Sequence, residues 1–265
     1  LSRFIEENTN NIPDYAIVAV DESQLYNITL ELIDAGVKNI LIEKPAGINN
    51  FQIKDLKTKS GTDCKLFVAY NRRFYQSVKK CKELIDVSDG PININFTFTE
   101  WPHLVDFSSY TEEELEKFFL CNSSHVPETV FYLAGHPKEL VSYTSGDLSW
   151  HTSSCTFAGA GITQNNITIN YNAHWSSAGR WGIEIDLPGS KLILRPLEKL
   201  QIQKKGSLEI EEIILEKAKI DLDYKPGLYE EVKSFLGDQK DLCTIDEQIE
   251  NFKWFYKIAN YSDGE

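Results

Sequence analysis

The sequence predicts an α/β layer with a parallel sheet, followed by an α+β domain whose open-faced, mostly antiparallel sheet carries helices on one face. Two observations lead to this fold class. In the first part of the chain, short continuous apolar runs alternate with stretches of helical periodicity, which is typical of strand–helix–strand units. After about residue 90, the runs alternate between apolar and polar residues, which is typical of strands with one buried face.

Five elements are expected in the parallel layer. They are a strand over 15–20, a helix over 22–35, a strand over 37–42, a helix from Asn49 or Asn50 to about residue 59, and a strand over 65–70. The continuous apolar run 15–20 predicts a strand that is buried on both faces. Right-handed crossovers place the carboxyl ends of such strands at one edge of the sheet, so Asp21, Lys44 and Asn71 are expected there.

The second part of the chain begins with strict alternation over 92–100, which predicts a half-buried strand. The elements expected after it are a partly helical 111–134, a mostly antiparallel sheet from 139 to 215, and helices near 226–236 and 244–260. Thr111 and Glu114 have the spacing of a capping box, which predicts that a helix begins there.

Composition and charge argue against several classes of protein. The net charge of −13 and the pI near 4.9 disfavour nucleic acid and anionic membranes as partners, because binding phosphate groups requires clustered Lys and Arg. No apolar run approaches the ~20 residues that a membrane helix requires, and no signal-peptide pattern opens the chain. The five cysteines include no C-x-x-C pair, which predicts a reduced, cytoplasmic setting and no metal site.

The first candidate for chemistry is Lys44, in the segment Glu43-Lys44-Pro45 directly after the apolar run 40–42. Proline restricts the backbone at the end of a buried strand, and partial burial could lower the pKa of the lysine so that it transfers a proton. A lysine that stays charged could instead orient a hydroxyl or carbonyl oxygen. A solvated lysine at the strand end is the structural alternative.

Two predicted helix starts carry further candidates. His125 precedes the apolar stretch 130–133, where an imidazole can face a cleft and act as a general acid or base. The alternative is a histidine that only caps or packs at the helix end. Tyr229 follows the loop 225–227, whose amides could bind an anion or form an ordinary turn.

Arginine and aromatic residues combine at another position. Arg180 and Trp181 are adjacent, His174 lies shortly before them, and Trp101 lies in a similar Trp–His neighbourhood. Arg binds carboxylate or phosphate groups through paired hydrogen bonds, and aromatic rings stack on the faces of sugars. A sheet packed by tryptophans with one ion-paired arginine is the alternative.

Several segments together resemble those of a known family. They are 14–20, 35–45, 70–74 and 124–126 with 133–135. In these segments, which span nearly the whole chain, the sequence is similar to the Gfo/Idh/MocA (glucose–fructose oxidoreductase / inositol dehydrogenase) family. The segments 179–181 and 225–229 resemble a branch found in polysaccharide biosynthesis.

The resemblance implies a Rossmann domain for NAD or NADP in 1–72, a substrate and oligomerisation domain in 73–243, and a C-terminal helix in 244–265. It implies hydride transfer to or from a hydroxyl-bearing carbon of a sugar, cyclitol or nucleotide sugar. Lys44 would contact the nicotinamide and the reacting hydroxyl, and His125 would be the general acid–base residue. The other residues expected at the cofactor are Asp21, Glu43, Pro45 and Asn71, and those expected at the substrate are Arg73, Trp101, His174, Arg180, Trp181 and Tyr229. The open sheet face is expected to form a dimer or tetramer.

Three features depart from the family pattern. The sequence contains no Gly-x-Gly-x-x-Gly turn, and the strand before that turn and the ribose-binding acid are missing with it, so an N-terminal segment is expected to be absent. Cys121 stands where the family often has Asp, four residues before the histidine. Glu128 replaces an Asp three residues after it and follows Pro127, which fits only the first turn of a helix.

The leading hypothesis is therefore a cytoplasmic, nicotinamide-dependent sugar oxidoreductase. A non-catalytic relative that binds a sugar or assembles through its sheet is the alternative, which Cys121 and Glu128 favour. A pure interaction module is a third hypothesis, although such a module has no need of Glu-Lys-Pro at the end of a parallel strand. The identity of the substrate and the choice between NAD and NADP stay open.

Overall fold

The computed structural model describes residues 1–8, 11–215 and 218–262. The chain forms two compact units, which are Leu1–Tyr70 with Glu231–Lys253, and Asn71–Glu230 with Trp254–Ser262. The domains expected at 1–72, 73–243 and 244–265 stay predictions. The compact units differ from them because a segment from the C-terminal part of the chain packs within the first unit.

The elements follow one another along the chain with short connections. The helices are α1 Ser2–Glu7, α2 Glu22–Ala35, α3 Asn50–Ser60, α4 Gln76–Asp86, α5 Glu112–Glu116, α6 His125–Ala134, α7 Ala218–Asp223, α8 Leu228–Leu236 and α9 Ile245–Ala259. The strands are β1 Tyr15–Val18, β2 Asn39–Glu43, β3 Lys65–Ala69, β4 Asn93–Thr97, β5 Pro137–Ser145, β6 Thr156–Thr163, β7 Thr168–His174, β8 Gly182–Leu187, β9 Ser190–Leu194, β10 Gln201–Lys204, β11 Ile210–Glu212 and β12 Cys243–Thr244.

The first unit contains a four-stranded sheet in the order β1-β2-β3-β12. Strands β1, β2 and β3 are parallel, and the two-residue β12 closes the other edge in the antiparallel direction. Helices α2 and α3 form the crossovers, and Gly36 ends α2 in a left-handed conformation with φ of 95°. The predicted parallel α/β layer is confirmed, including the order and type of its five elements.

One expectation for this sheet is wrong. The run 15–20 was expected to be buried on both faces, yet Ile17 is 53% exposed and Tyr15 is exposed as well. The physical reason is that β1 lies at the edge of the described sheet, where only β2 pairs with it. The central strand β2 does have the predicted burial, since Ile40, Leu41 and Ile42 are all buried.

The second unit contains an eight-stranded sheet in the order β11-β10-β9-β8-β4-β7-β6-β5. Strands β4 and β7 run parallel, and the other described pairs are antiparallel, which confirms the mostly antiparallel sheet. Alternate residues of each strand face inward, as Phe96 and Tyr171 do, and α6 packs on that side. The opposite face carries polar residues such as Asn95 and Asn170, so it is open.

The span 111–134, expected to be partly helical, consists of three short pieces. The capping box is confirmed, because Glu114 N donates to Thr111 Oγ1 and the Glu114 carboxylate accepts from Thr111 N. A π-helical turn, Phe119–Ser123, then leads into α6, which begins at His125. Pro127 lies in the first turn of α6, where a proline replaces no hydrogen-bonding N–H.

Three negative findings apply to the part of the chain that the structure describes. No helix there has the length and apolar character needed to cross a membrane. No three His, Cys, Asp or Glu side chains there gather as a candidate metal site. All five cysteines lie in this part, each is buried, and no disulfide bond joins any two of them there.

Candidate functional site

Lys44 is buried at the carboxyl end of β2, with 8% of its surface exposed. The chain turns sharply behind it through a cis peptide bond to Pro45 and a left-handed Ala46 with φ of 70°. The Lys44 Nζ lies 3.8 Å from Glu22 Oε1, in the first turn of α2. Lys44 is therefore not a solvated surface lysine, and its ammonium group is held at the edge where the parallel strands end.

A glutamine of α9 holds this turn in place. The buried Gln248 donates from Nε2 to the carbonyl oxygen of Pro45 at 2.9 Å and contacts the hydroxyl of Tyr70 at 3.1 Å. The turn after β2 and the residue after β3 are thereby fixed by one amide. Asp21 also reaches the same edge as the N-cap of α2, and Glu43 is the last residue of β2.

In the second unit, His125 is buried at the start of α6, directly after the π-helical turn. Its Nε2 lies 2.8 Å from Arg72 Nη1. Because a guanidinium has only donors, Nε2 accepts this hydrogen bond, and the ring hydrogen of the neutral imidazole is on Nδ1. Arg72 also donates to Asn71 Oδ1 at 2.8 Å, so one guanidinium joins the histidine to a residue expected at the cofactor.

The indole of Trp181 lies at the centre of this cluster. Its ring centroid is 6.0 Å from that of His125. The guanidinium carbons of Arg72 and Arg180 lie 5.0 and 4.7 Å from the Trp181 ring, and Arg180 also lies 5.0 Å from the Trp101 ring. Cation–π contacts at these distances hold two positive charges against one indole ring.

A buried carboxylate, Glu100, joins the parts of the cluster. It is 1% exposed and accepts hydrogen bonds from Ser123 Oγ at 2.5 Å, Arg180 Nη1 at 3.0 Å and Trp181 Nε1 at 3.0 Å. Burial raises the pKa of Glu100, and these three donors partly offset the rise. Ser123 is two residues before His125, so Glu100 fixes the segment that carries the histidine as well as the arginine.

Substitution of Glu100 is expected to change how stability depends on pH. In the folded state its pKa is raised above 4.5, so the native protein binds a proton that the unfolded chain has lost, and stability falls as pH rises from about 4.5 through the folded pKa. Glu100→Gln removes this titration while keeping an acceptor for Ser123 and Trp181. Urea unfolding of both proteins from pH 4.5 to 8 should show the free energy of unfolding falling more steeply with pH in the wild type than in the variant. An equal slope in both proteins would contradict the assignment.

Other predicted substrate residues lie apart from this cluster in the described contacts. Arg73 is buried in an ion pair with Glu128, with 2.5 Å between Nε and Oε1. His174 ends β7 on the outer face of the sheet, and Tyr229 is exposed and stacks on Tyr224 at 4.9 Å. The roles expected for Arg73, His174 and Tyr229 stay predictions.

The loop before α8 packs against the residue that follows Tyr70. Asn71 Nδ2 donates to the Pro226 carbonyl oxygen at 2.9 Å, and Gly227, at φ of 75°, leaves no room for a Cβ beside the Asn71 carbonyl. Gly227 N donates to Asp221 Oδ1 at 3.0 Å. The amide of Gly227 is thus engaged within the protein, which favours the ordinary turn among the two alternatives for this loop.

Comparisons with known proteins bear on the fold. No family model matches the chain, and no curated protein matches it. Among solved structures, an inositol dehydrogenase homologue of Azotobacter vinelandii, complexed with NADH and myo-inositol, superposes with a TM-score of 0.76 at 13% identity over 99% of this chain and 79% of that one. This chain has the Gfo/Idh/MocA fold.

Two other solved structures with the Gfo/Idh/MocA fold agree. The dehydrogenase MviM of Clostridium difficile superposes with a TM-score of 0.71 at 19% identity over 97% of this chain and 82% of that one. UDP-N-acetylglucosamine 3-dehydrogenase GnnA of Acidithiobacillus ferrooxidans gives a TM-score of 0.67 at 12% identity, over 98% and 81%. At these identities the likeness is one of architecture.

Sequence reasoning missed Arg72, Glu100 and Ser123. Glu100 could have been found, because it continues the inward register of Ile94, Phe96 and Phe98 and a carboxylate in an apolar register is a candidate for a functional site. No signal separates Arg72 from Arg73, since both lie in one 3₁₀ turn and its geometry alone decides which of them faces His125.

Proposed function

We propose that the chain is a nicotinamide-dependent oxidoreductase that transfers hydride to or from a hydroxyl-bearing carbon of a sugar, cyclitol or nucleotide sugar. The observation that carries the proposal is the buried Lys44 at the carboxyl end of a parallel strand, in a fold that dehydrogenases of inositol and UDP-N-acetylglucosamine share. Ligands bind at that edge of open α/β sheets.

The residues at this edge fit the nicotinamide end of the cofactor. Lys44, held between Glu22 and the fixed turn at Pro45, offers a cation and a defined backbone, and Asp21, Glu43 and Asn71 are proposed to complete the set. When bound, NAD or NADP supplies or accepts the hydride. No glycine-rich turn for the pyrophosphate occurs in the sequence, so these residues would hold the nicotinamide and its ribose.

Lys44 is proposed to act on the oxygen of the reacting hydroxyl. A buried ammonium group stabilises negative charge on an alcohol oxygen more strongly than a solvated one, because the surrounding dielectric is lower. The carboxylate of Glu22, whose Oε1 lies 3.8 Å from the Lys44 Nζ, orients the ammonium group.

His125 is proposed to move the hydroxyl proton. Its Nε2 is the basic nitrogen, and Arg72 donates to that atom in the structure. A proton that arrives on Nε2 turns the atom into a donor, so the contact with Arg72 must open when the proton is transferred. Asn71 Oδ1 remains as the acceptor for the Arg72 guanidinium. Arg180, Trp101 and Trp181 are proposed to hold the substrate beside the imidazole.

A non-catalytic, sugar-binding relative is the second candidate function. The observation that favours it is the ion pair of Glu128 with Arg73, because that carboxylate is engaged where the family pattern has an Asp near the histidine. Cys121 is buried in the π-helical turn and cannot replace an acidic group.

Cofactor titration and a substrate panel separate the two functions. The protein is titrated with NAD, NADH, NADP and NADPH by calorimetry, and the reduced nicotinamide is followed by absorbance with myo-inositol, hexoses and UDP-sugars. The oxidoreductase predicts saturable binding of one cofactor pair and turnover with at least one alcohol. Sugar binding without any nicotinamide binding or turnover would establish the alternative instead.

The open sheet face is proposed to join copies of this chain as a dimer or tetramer in the cytoplasm, with no nucleic acid or membrane as partner. Support comes from the β5–β6 half of this face, where Tyr143 is 70% exposed and Val141 is exposed beside it. Their neighbours across the ladder are Ala158 and Ala160, so the exposed patch is apolar and continuous.

Disruption of this patch is expected to give monomers. Tyr143→Asp combined with Val141→Asp places two charges in the proposed interface, and light scattering coupled to size exclusion should show the mass fall from a multiple of 30.3 kDa to a single chain. Leu208→Asp, at an apolar residue that is 94% exposed in the connection between β10 and β11, is the control and should leave the mass unchanged. A monomeric wild type would rule the proposal out.

A further inference from the structure

Two amide side chains of α9 are fully buried beside the turn that follows Lys44. Gln248 and Asn251 are three residues apart, so they lie on the same face of the helix, and Asn251 Nδ2 donates to Gln248 Oε1 at 3.1 Å. A buried amide costs free energy unless hydrogen bonds replace those it made with water. The partners of this pair therefore show what it stabilises.

The hydrogen bonds of Gln248 fix the direction in which its amide faces. Its Nε2 lies 2.9 Å from the Pro45 carbonyl oxygen, and because a carbonyl oxygen can only accept, the NH₂ group must lie on that side. The same nitrogen contacts the Tyr70 hydroxyl at 3.1 Å. On the opposite side, Oε1 accepts from Asn251. Both ends of the amide are engaged, so the side chain is held in one orientation.

The start of α9 is itself anchored to the sheet. Thr244 and Glu247 form a capping box, in which Glu247 N donates to Thr244 Oγ1 at 3.2 Å and Thr244 N donates to Glu247 Oε2 at 2.9 Å. Directly before the helix, β12 pairs with β3. Gln248 therefore projects from a backbone that the four-stranded sheet holds in place.

The turn after Lys44 depends on the contact with Gln248. Residues 44–48 are all buried. Within the described residues, the hydrogen bond from Gln248 is the one that the Pro45 carbonyl oxygen receives. Without this donor the carbonyl would be buried and unsatisfied, which favours movement of the turn toward another partner. Such a movement displaces Lys44, because its backbone is bonded directly to Pro45.

We propose that Gln248 is a positioning residue, which places the Lys44 ammonium group for its action on the reacting hydroxyl. The inference rests on the proposed function, because it takes Lys44 as a catalytic residue. Gln248 acts through Lys44 and touches neither the substrate nor the reacting atoms. A displacement of about 1 Å can cost about a hundredfold in rate, so one hydrogen bond behind the lysine is enough to control turnover.

A double-mutant cycle on kcat tests the proposal. Gln248→Met keeps the length of the side chain and removes the donor, so kcat should fall about tenfold to a hundredfold while the Kd of the nicotinamide cofactor stays near its wild-type value. In the Lys44→Ala background, the same substitution should have little further effect, because the group that it positions is absent. A loss by the same factor in both backgrounds, or wild-type kcat in Gln248→Met, would overturn the proposal.

Thr163→Val is the matched control for stability. Thr163 is buried, donates to the Ala134 carbonyl oxygen at 2.8 Å and accepts from Ile167 N at 3.2 Å, so this substitution also removes buried hydrogen bonds while nearly keeping the side-chain shape. Its Tm should fall as that of Gln248→Met does, and its kcat should equal that of the wild type. An equal loss of kcat in the two variants would trace the effect to stability and reject the positioning role.

Hydrogen exchange followed by mass spectrometry separates this inference from the proposed function. The amides of Ala46, Gly47 and Ile48 should exchange faster in Gln248→Met than in the wild type or in Thr163→Val. A wild type without turnover would reject the proposed function and the positioning role together, and the exchange would still show whether the glutamine holds the turn. Turnover in the wild type with unchanged exchange in Gln248→Met would reject the positioning role alone.

Discussion

Lys44→Ala is expected to lower turnover about a thousandfold while the protein stays folded and still binds the nicotinamide cofactor. The reason is that Lys44 supplies the buried cation at the carboxyl end of β2, and groups that assist proton transfer contribute about 10²–10⁴-fold to rate. Because Lys44 lies at the sheet edge, its removal leaves the Ile40–Ile42 core of β2 intact. The measurement is steady-state turnover with the best alcohol of the panel, together with thermal unfolding.

Two further variants control this experiment. Lys54→Ala removes an exposed lysine on α3 and should leave turnover unchanged. Lys44→Arg keeps the charge but replaces a compact ammonium with a planar fork, so it should restore little of the lost rate. Wild-type turnover in Lys44→Ala would remove the lysine from the mechanism, whatever the fold.

Arg73→Ala is expected to destabilise the protein by about 3–5 kcal/mol, because it removes one charge of the buried ion pair between Arg73 and Glu128. Arg73 is 3% exposed and Glu128 is 0% exposed, so neither charge is hydrated by bulk water. A loss of that size is about a fifth or more of the stability of a typical domain. Urea unfolding at neutral pH measures it.

The double variant Arg73→Met with Glu128→Leu separates charge from packing. Apolar replacements of a whole buried ion pair are often neutral or stabilising, so the double variant should be clearly more stable than Arg73→Ala. If the two were equally unstable, the loss would come from the packing of the arginine side chain, including its guanidinium over the Tyr132 ring, instead of from the charge of Glu128.

The sequence was most informative where the periodicity of apolar residues agreed with the residue types at the ends of the predicted elements. The alternation of apolar runs with helical spacing located β1, β2 and β3 with α2 and α3 between them. The two-residue β12 and the six-residue α7 carry too little periodicity to be seen in this way. The exposure of Ile17 could not be predicted either, because the place of a strand within its sheet depends on pairing between distant segments.

In the candidate site, too, some residues could be predicted from the sequence and others depend on the folded geometry. Lys44 follows a recognisable strand and His125 precedes a recognisable apolar helix, so the sequence predicted both as site residues. Arg72 entered only through the geometry of a 3₁₀ turn, which no spacing rule reports. Arg73, which the sequence predicted at the substrate, lies in a buried ion pair with Glu128.

The hydrogen bond from Arg72 to His125 Nε2 has a spectroscopic consequence. A ring kept in a single tautomer shows two well-separated ¹⁵N resonances, one for a bare nitrogen and one for a nitrogen that bears hydrogen. When a proton reaches the bare nitrogen, the two signals converge. Selective isotope labelling of the histidines therefore turns His125 into an internal reporter, which would register the arrival of a ligand proton even before any product is detected.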